Sequence, residues 1–428
     1  MISGEVESIA FGGSGILKDK GLVVFVPFTA PRDKVSIAIT QHKKHFAFGS
    51  LLTLETPGPD RIEPSCPHFQ TCGGCQFQHL TYVSQLEIKR RFIEDALTRI
   101  ARIAYEIPPV IPAPHPWNYR HHITLKLQAL TAGGFQAGYT GCDNQSLIPI
   151  AHCPIFCLPG DTILLDLQEI ASHLCNRGIR EASVRLFKAS EKEPSSSHYQ
   201  LAFTFSPHAP DNISSLIALL EKYPHIDSIF VGSPDKPLTF GKEECTTESL
   251  GISASFSPYG FLQNFPQQRD AIYRAILADA PNCAQKILDL YCGIGITSLL
   301  FAQKGKSVIG IEAQAQSIAK AQENAQKNEL TVQFICDTVE SKAPSLLASF
   351  QPDLMLCNPP REGVPSSLLN ALIDQRTPYI QYLSCMPSTL ARDLKILCAG
   401  GYEIEKIQGF DMFPQTTHVE TLVLLKHV

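Results

Sequence analysis

No apolar run in this sequence reaches the roughly 20 residues that a membrane-spanning helix needs, so no membrane partner is expected. The opening stretch Met1-Ile-Ser-Gly-Glu-Val lacks a basic segment followed by an apolar one. A secretory leader is therefore not expected, and a cytoplasmic protein is. Charge is sparse: Asp, Glu, Lys and Arg make up 18% of the 428 residues and leave a net charge of −5. That balance argues against a large, non-specific nucleic-acid binder. Internal repeats are also lacking.

Cysteine, by contrast, is plentiful. The fourteen cysteines do not read as a disulfide framework, because a chain of this length has ample core without one. Cys292, Cys336, Cys357 and Cys398 lie inside apolar runs and read as small buried hydrophobes. A hydrophobic fraction of 44% is that of an ordinary globular protein, and the length implies two to four domains. The charge is uneven. Residues 1–130 carry 14 Lys and Arg against 11 Asp and Glu, whereas residues 131–428 carry 22 against 30. An acidic partner such as RNA would be held by basic patches in the N-terminal part.

Residues 1–57 alternate β-branched and aromatic residues between glycine turns, the pattern of a small β-barrel that ends at the proline-rich break Thr56-Pro-Gly-Pro-Asp60. A helix with a basic face (Lys89, Arg90, Arg91, Arg99, Arg102) is predicted from Thr81 to about Ala104. Residues 58–255 otherwise mix strand-like runs with helical ones, such as 161–174 and 212–223, and a polar loop at 191–200, as an α+β domain. From residue 256 to 428 five apolar strand-like runs (KILDLY, SVIGIE, TVQFIC, DLMLCN, YIQYLS) alternate with helical segments. That is the form of an α/β doubly wound parallel sheet.

The turn Asp289-Leu-Tyr-Cys-Gly293-Ile-Gly295 follows the first of these strands, and its glycines let a ligand approach a helix N-terminus. Glu312 ends the second strand, where a carboxylate can accept both hydroxyls of a ribose, and Asp337 ends the third. Ser298 stands where a nicotinamide dehydrogenase would have its third glycine, so the set fits a class I S-adenosylmethionine site better. Asn358-Pro-Pro-Arg361-Glu-Gly363 ends the fourth strand in a stiff turn. Cys385 ends the fifth, with Pro387 suited to a first helical turn. Helix-end potential should lower the Cys385 thiol pKa. His418 and Glu420 precede a last strand. Upstream, Cys66-x5-Cys72-x2-Cys75 is a metal-site pattern whose spacing leaves zinc and iron–sulfur open, with Cys142, Cys153 or Cys157 as a fourth ligand.

These motifs resemble those of the RNA 5-methyluridine methyltransferases: D-L-Y/F-C-G-x-G, D/N-P-P-R-x-G, S-C-x-P-x-T-x-x-R-D and H-x-E. Residues 1–55 resemble a TRAM domain, an RNA-binding barrel of the OB-like kind. Residues 66–79 resemble the iron–sulfur motif of the rRNA-modifying members. The resemblance implies a class I methyltransferase sheet acting on C5 of a uridine in RNA. Cys385 would add to C6 and Glu420 would remove the C5 proton. S-adenosylmethionine would be held by Gln263, Tyr291, Gly293, Gly295, Glu312, Asp337 and Asn358. A [4Fe-4S] cluster would sit on Cys66, Cys72, Cys75 and Cys153. Ribosomal RNA is the implied substrate and transfer RNA the alternative, on a monomer without an obligate protein partner. Two positions depart from the pattern: Asn358 stands where Asp is usual, and Ile296 where Asn or Thr is common.

Three rivals meet specific objections. A radical methyltransferase would carry C-x3-C-x2-C on a β/α barrel. A non-catalytic RNA-binding relative would have lost Cys385 or Glu420. In a cytosine-C5 enzyme the nucleophile follows a proline, and here Ser384 precedes it.

Overall fold

A computed structural model describes the chain except for residues 158–159, 190–197, 210–217, 219–220 and 233–236. Most of the polar loop predicted at 191–200 and of the helix predicted at 212–223 lies outside the described residues. The chain is a mixed α/β protein built on three sheets and a hairpin. Among the described residues no helix is long and apolar enough to cross a membrane.

The first sheet holds six strands between Ile2 and Thr56. By first residue their spatial order is Ile2, Lys34, Phe46, Leu22, Ser14, Ser8. Period-2 alternation sends Leu17, Val24, Val26, Val35, Ile37 and Ala47 inward, and the sheet curls around them. The curl is tight enough that a Cβ at Gly4 would lie 3.1 Å from Leu17 Cδ1. Buried Asp33 fastens the sheet to the proline-rich break. It accepts hydrogen bonds from the Ala30 and Gly58 amides and pairs with Arg61 at 2.6 Å.

A helix follows at Tyr82–Ala96, with Thr81 Oγ1 accepting the Ser84 amide at its start, and continues as a π turn to Ala101. Its end falls short of Ala104, because Arg102 takes a left-handed conformation at φ 62°. The basic face predicted for this helix is not an open one. Lys89 is fully buried, and Arg90, Arg91 and Arg99 pair with Glu87, Glu94 and Asp95 one helical turn away. Acidic residues at i±3 and i±4 neutralise what a count of basic residues alone suggests.

Seven strands form the central sheet, in the order Leu238, Ile226, Tyr199, Glu181, His122, Phe135, Leu147 by first residue. The helix Gly160–His173 buries Ile163, Leu164, Leu167 and Ile170 in its core. A separate hairpin, Cys245–Ser249 with Ile252–Phe256, packs on the helix Ala315–Lys327. There Asn324 pairs with the backbone of Ser255, and Asn328 with that of Ser253.

The C-terminal sheet runs Gln333–Cys336, Ser307–Glu312, Lys286–Leu290, Leu354–Cys357, Tyr379–Ser384, Glu420–His427, Tyr402–Phe410. The first five are parallel, Glu420–His427 runs antiparallel to them, and Tyr402–Phe410 pairs antiparallel to Glu420–His427 and so regains the direction of the five. All four residues of Leu354–Cys357 are buried, as a strand covered on both faces requires. Strand order reverses between Lys286–Leu290 and Leu354–Cys357, and sheets of this kind bind ligands above such a switch point. Cys292 and Cys357 are buried, as the sequence suggests. Cys336 is exposed, because it ends the edge strand, and Cys398 is half-buried.

Candidate active site

Above the switch point lies a cavity of about 720 Å³. Its wall includes Gln263, Tyr291, Gly293 and Asn358, together with apolar side chains such as Leu262, Ile296 and Leu422. The glycine turn is conformationally demanding. Tyr291, Gly293 and Gly295 all have positive φ (60°, 55° and 83°), and a Cβ at Gly295 would meet Phe334 Cζ at 2.7 Å. Glu312 stands beside this turn and accepts hydrogen bonds from the amides of Gly293 (3.3 Å) and Gln314 (2.9 Å). Asp337 accepts the Thr338 amide at 2.8 Å, just ahead of the helix Val339–Phe350. Gly295, Glu312 and Asp337 therefore stand behind or beside the cavity wall.

Two further polar residues of this wall escaped the sequence reading. Asp289 is buried, with a carboxylate oxygen accepting the hydroxyls of Thr297 and Ser298 at 2.6 Å each, and burial pushes its pKa up to about 6. Its signal was present: a carboxylate inside an apolar strand, followed by adjacent hydroxyls at the next helix start. Gln381 is buried, donates Nε2 to Ile276 O and leaves Oε1 without a partner among the described residues. Nothing in the pattern YIQYLS separates this glutamine from a structural one.

The Asn358-Pro-Pro-Arg361 turn is anchored by the helix Pro387–Ala399. Thr389 Oγ1 donates to Arg361 O at 3.0 Å, Arg392 to Glu362 O at 2.8 Å, and Asp393 accepts the Val364 amide at 2.8 Å. Asp393 also accepts the Tyr382 hydroxyl at 2.7 Å. A Cβ at Gly363 (φ 80°) would come within 2.6 Å of Arg392 Nη2 and Asp393 Oδ2. The residues four to eight positions after Cys385 thus serve to hold the turn.

Cys385 and Glu420 lie 35 residues apart in the chain and meet through strand register. In the antiparallel pair Tyr379–Ser384 and Glu420–His427, Ser384 stands opposite Thr421, so one step further sets Cys385 beside Glu420. Charge coupling between the two follows from that nearness. Met386 donates its amide to Ser384 Oγ at 3.1 Å, and Pro387 opens the helix. The expected lowering of the Cys385 pKa does not occur. Burial raises it first and the Glu420 carboxylate second, and together they outweigh the Arg361 guanidinium. Glu420 is itself buried, and desolvation pushes its carboxyl up to about 7 against the opposing charge of Arg361. His418 is pushed down to about 4, first by burial and then by Arg361, so it is neutral at physiological pH. A thiol, a carboxyl poised near neutrality and a guanidinium whose charge acts on both are thereby assembled beside the wall residues Leu383 and Leu422.

All fourteen cysteines are free thiols. Cys66, Cys72, Cys75 and Cys153 line one cavity of about 410 Å³, from which Cys142 and Cys157 are absent. Burial pushes Cys72 up to about 11 and Cys75 up to about 12. Among the described residues no three His, Cys, Asp or Glu side chains are grouped so as to hold a metal ion.

Residues 230–428 match the family model described as tRNA (uracil-5-)-methyltransferase. Over its whole length the chain is 42% identical to an RNA methyltransferase of Protochlamydia amoebophila, with 100% of this chain and 98% of the relative aligned. An RNA methyltransferase of Bacillus cereus is 33% identical over 99% of this chain and 96% of its own length. A solved structure, the Pyrococcus abyssi tRNA (uracil-54, C5)-methyltransferase in complex with S-adenosyl-L-homocysteine, matches with a TM-score of 0.76 at 25% identity. That match covers 99% of this chain and 100% of the other.

Proposed function

The chain belongs to the RNA methyltransferases of the tRNA (uracil-5-)-methyltransferase family, and from that membership we propose that Cys385 and Glu420 carry out its methyl transfer to uridine C5. The enzyme uses S-adenosylmethionine, the cofactor whose demethylated product occupies the matched structure. The 720 Å³ cavity at the switch point is its site in this reading, with Gln263, Tyr291, Gly293 and Asn358 in contact. Glu312 would hold the ribose hydroxyls, with Gly295 and Asp337 shaping the turn and helix start beside it.

Uracil C5 is too weak a nucleophile to attack a sulfonium methyl unaided. Bonding of the Cys385 thiolate to C6 makes C5 enolate-like, and C5 then takes the methyl group. Glu420 removes the C5 proton, the C5–C6 double bond re-forms, and the thiolate leaves. The observation that carries this assignment is the register placing Cys385 beside Glu420 next to the cavity. The reaction needs the target base out of its stack, so a splayed or flipped uridine is the substrate form.

Cys66, Cys72, Cys75 and Cys153 are assigned as ligands of a [4Fe-4S] cluster. Four free thiols around one cavity suit that donor set by their chemistry, and the resemblance to the iron–sulfur motif favours the cluster over zinc. When bound, the cluster would cross-link the 66–75 loop to the central domain. RNA is held in part by the N-terminal barrel. There the turn His42-Lys43-Lys44-His45 is wholly exposed beside three mutually packed aromatic rings, Phe25, Phe46 and Phe48. Between Lys34 and Leu54 the strands carry no acidic residue. Basic groups beside aromatic faces suit a single-stranded backbone and its bases.

Ribosomal RNA is the substrate we assign. Transfer RNA is the second reading, favoured by the match to the Pyrococcus abyssi tRNA enzyme. Mapping 5-methyluridine in ribosomal and transfer RNA from cells with and without the protein decides between them. A 5-fluorouridine RNA should form a covalent complex with the wild type and none with Cys385→Ser. A complex persisting in that variant would overturn the nucleophile assignment.

A further inference from the structure

The segment that delivers Glu420 is a nine-residue loop, Asp411 to Val419, between the last two strands of the C-terminal sheet. Loops ordinarily lie in water, but this one is largely buried: Asp411, Met412 and Val419 are 0% exposed and Gln415 3%. Its backbone must therefore find protein partners, and many come from residues 76–119. Gln76 and Phe77 both donate their amides to Gln415 O, at 3.0 and 2.9 Å. Tyr119 donates its hydroxyl to Pro414 O at 3.0 Å, and Lys89 donates to Phe413 O at 2.9 Å while pairing with Asp411 at 2.5 Å.

At the centre is a reciprocal pair. Gln85 Oε1 accepts the Gln415 amide, and Gln85 Nε2 donates to Gln415 Oε1, each at 3.0 Å. Gln415 has φ 67°, a left-handed conformation that a non-glycine residue seldom adopts and keeps only when its surroundings enforce it. Five residues later stands Glu420.

We infer that Gln85 is a positioning residue for Glu420, holding Gln415 in its strained conformation so that the carboxylate meets the proton on C5. The inference rests on Glu420 being the base. Gln85 does not line the cavity and acts through the loop. Gln76, which also donates to Gln415 O, directly follows Cys75.

The test compares full-length wild type with Gln85→Leu, Gln415→Ala, Gln415→Gly and Glu420→Gln on unmodified ribosomal and transfer RNA transcripts. The measured quantities are S-adenosylmethionine affinity, turnover, and the covalent RNA–protein complex on denaturing gels. A misplaced base slows only the elimination step. Gln85→Leu and Gln415→Ala should keep cofactor affinity, lose about tenfold to a hundredfold in turnover, and accumulate the methylated covalent complex as Glu420→Gln does. Gln415→Gly keeps the three backbone hydrogen bonds, as Gln415→Ala does, but takes φ 67° without strain, so it should recover turnover relative to Gln415→Ala. Positioning is overturned if Glu420→Gln accumulates the complex and the Gln85 variant does not. It is also overturned if the Gln85 variant loses complex and turnover together, or if glycine at 415 recovers nothing. If Glu420→Gln itself accumulates no complex, the assignment of the base fails instead.

Discussion

Burial raises the cost of ionising both Glu420 and Cys385. The Glu420 carboxylate adds to that cost at Cys385, and Arg361 is the cation that moderates both. The two steps they serve therefore differ in pH response. Elimination needs Glu420 charged, and its carboxyl titrates at about 7. As the pH falls through that value the carboxyl becomes neutral and release of the methylated adduct should slow. Addition suffers less, because neutralising Glu420 also removes its repulsion of the thiolate. Single-turnover reactions over a pH series should show the adduct lengthening in lifetime below about pH 7. A lifetime flat across that range would point to another base. The sequence displayed both residues but misjudged the thiol. A helix start after Cys385 was legible, whereas the burial and the adjacent carboxylate that dominate its pKa come from strands folded beside it.

At the scale of elements, the helix Pro387–Ala399 does two things: it caps the strand bearing Cys385 and it pins the Asn358–Gly363 turn through Thr389, Arg392 and Asp393. Gly363→Ala places a methyl group at a φ of 80°, against Arg392 and Asp393. It should cost roughly 1–3 kcal/mol and displace the turn. Thermal unfolding would give the first effect. A turnover loss larger than any change in RNA affinity would give the second. The strands and helices of this sheet were readable because their periodicity and glycine turns are local. The helix Tyr82–Ala96 was readable as a helix but not in its role. A row of basic residues looks like a surface for RNA until Lys89 is found buried against Asp411, 322 residues away.

For the whole molecule, the barrel and the C-terminal sheet meet at the loop that precedes Glu420. A Cβ at Gly13 would touch Gln76 and Thr417, so the barrel borders that loop. Reversing the charge with Lys43→Glu and Lys44→Glu should weaken RNA binding. It should also flatten the salt dependence, by about 0.7 in log–log slope for each phosphate no longer neutralised. S-adenosylmethionine affinity should stay unchanged. Filter binding across a salt series, with calorimetry for the cofactor, would check both. An unaltered slope would remove the barrel turn from the RNA path.

Sequence by itself determined the sheet class and the glycine turn, and it singled out the cysteine loop, Cys385 and Glu420 as candidates, since each is written in a short contiguous motif. Tertiary structure alone decided that Cys385 faces Glu420, that Lys89 is buried and that Gln85 clamps Gln415. These are pairings over 35, 322 and 330 residues, created by strand register and buried packing. Ionisation follows the same division: a residue's type is local, but its desolvation and charged neighbours belong to the assembled fold.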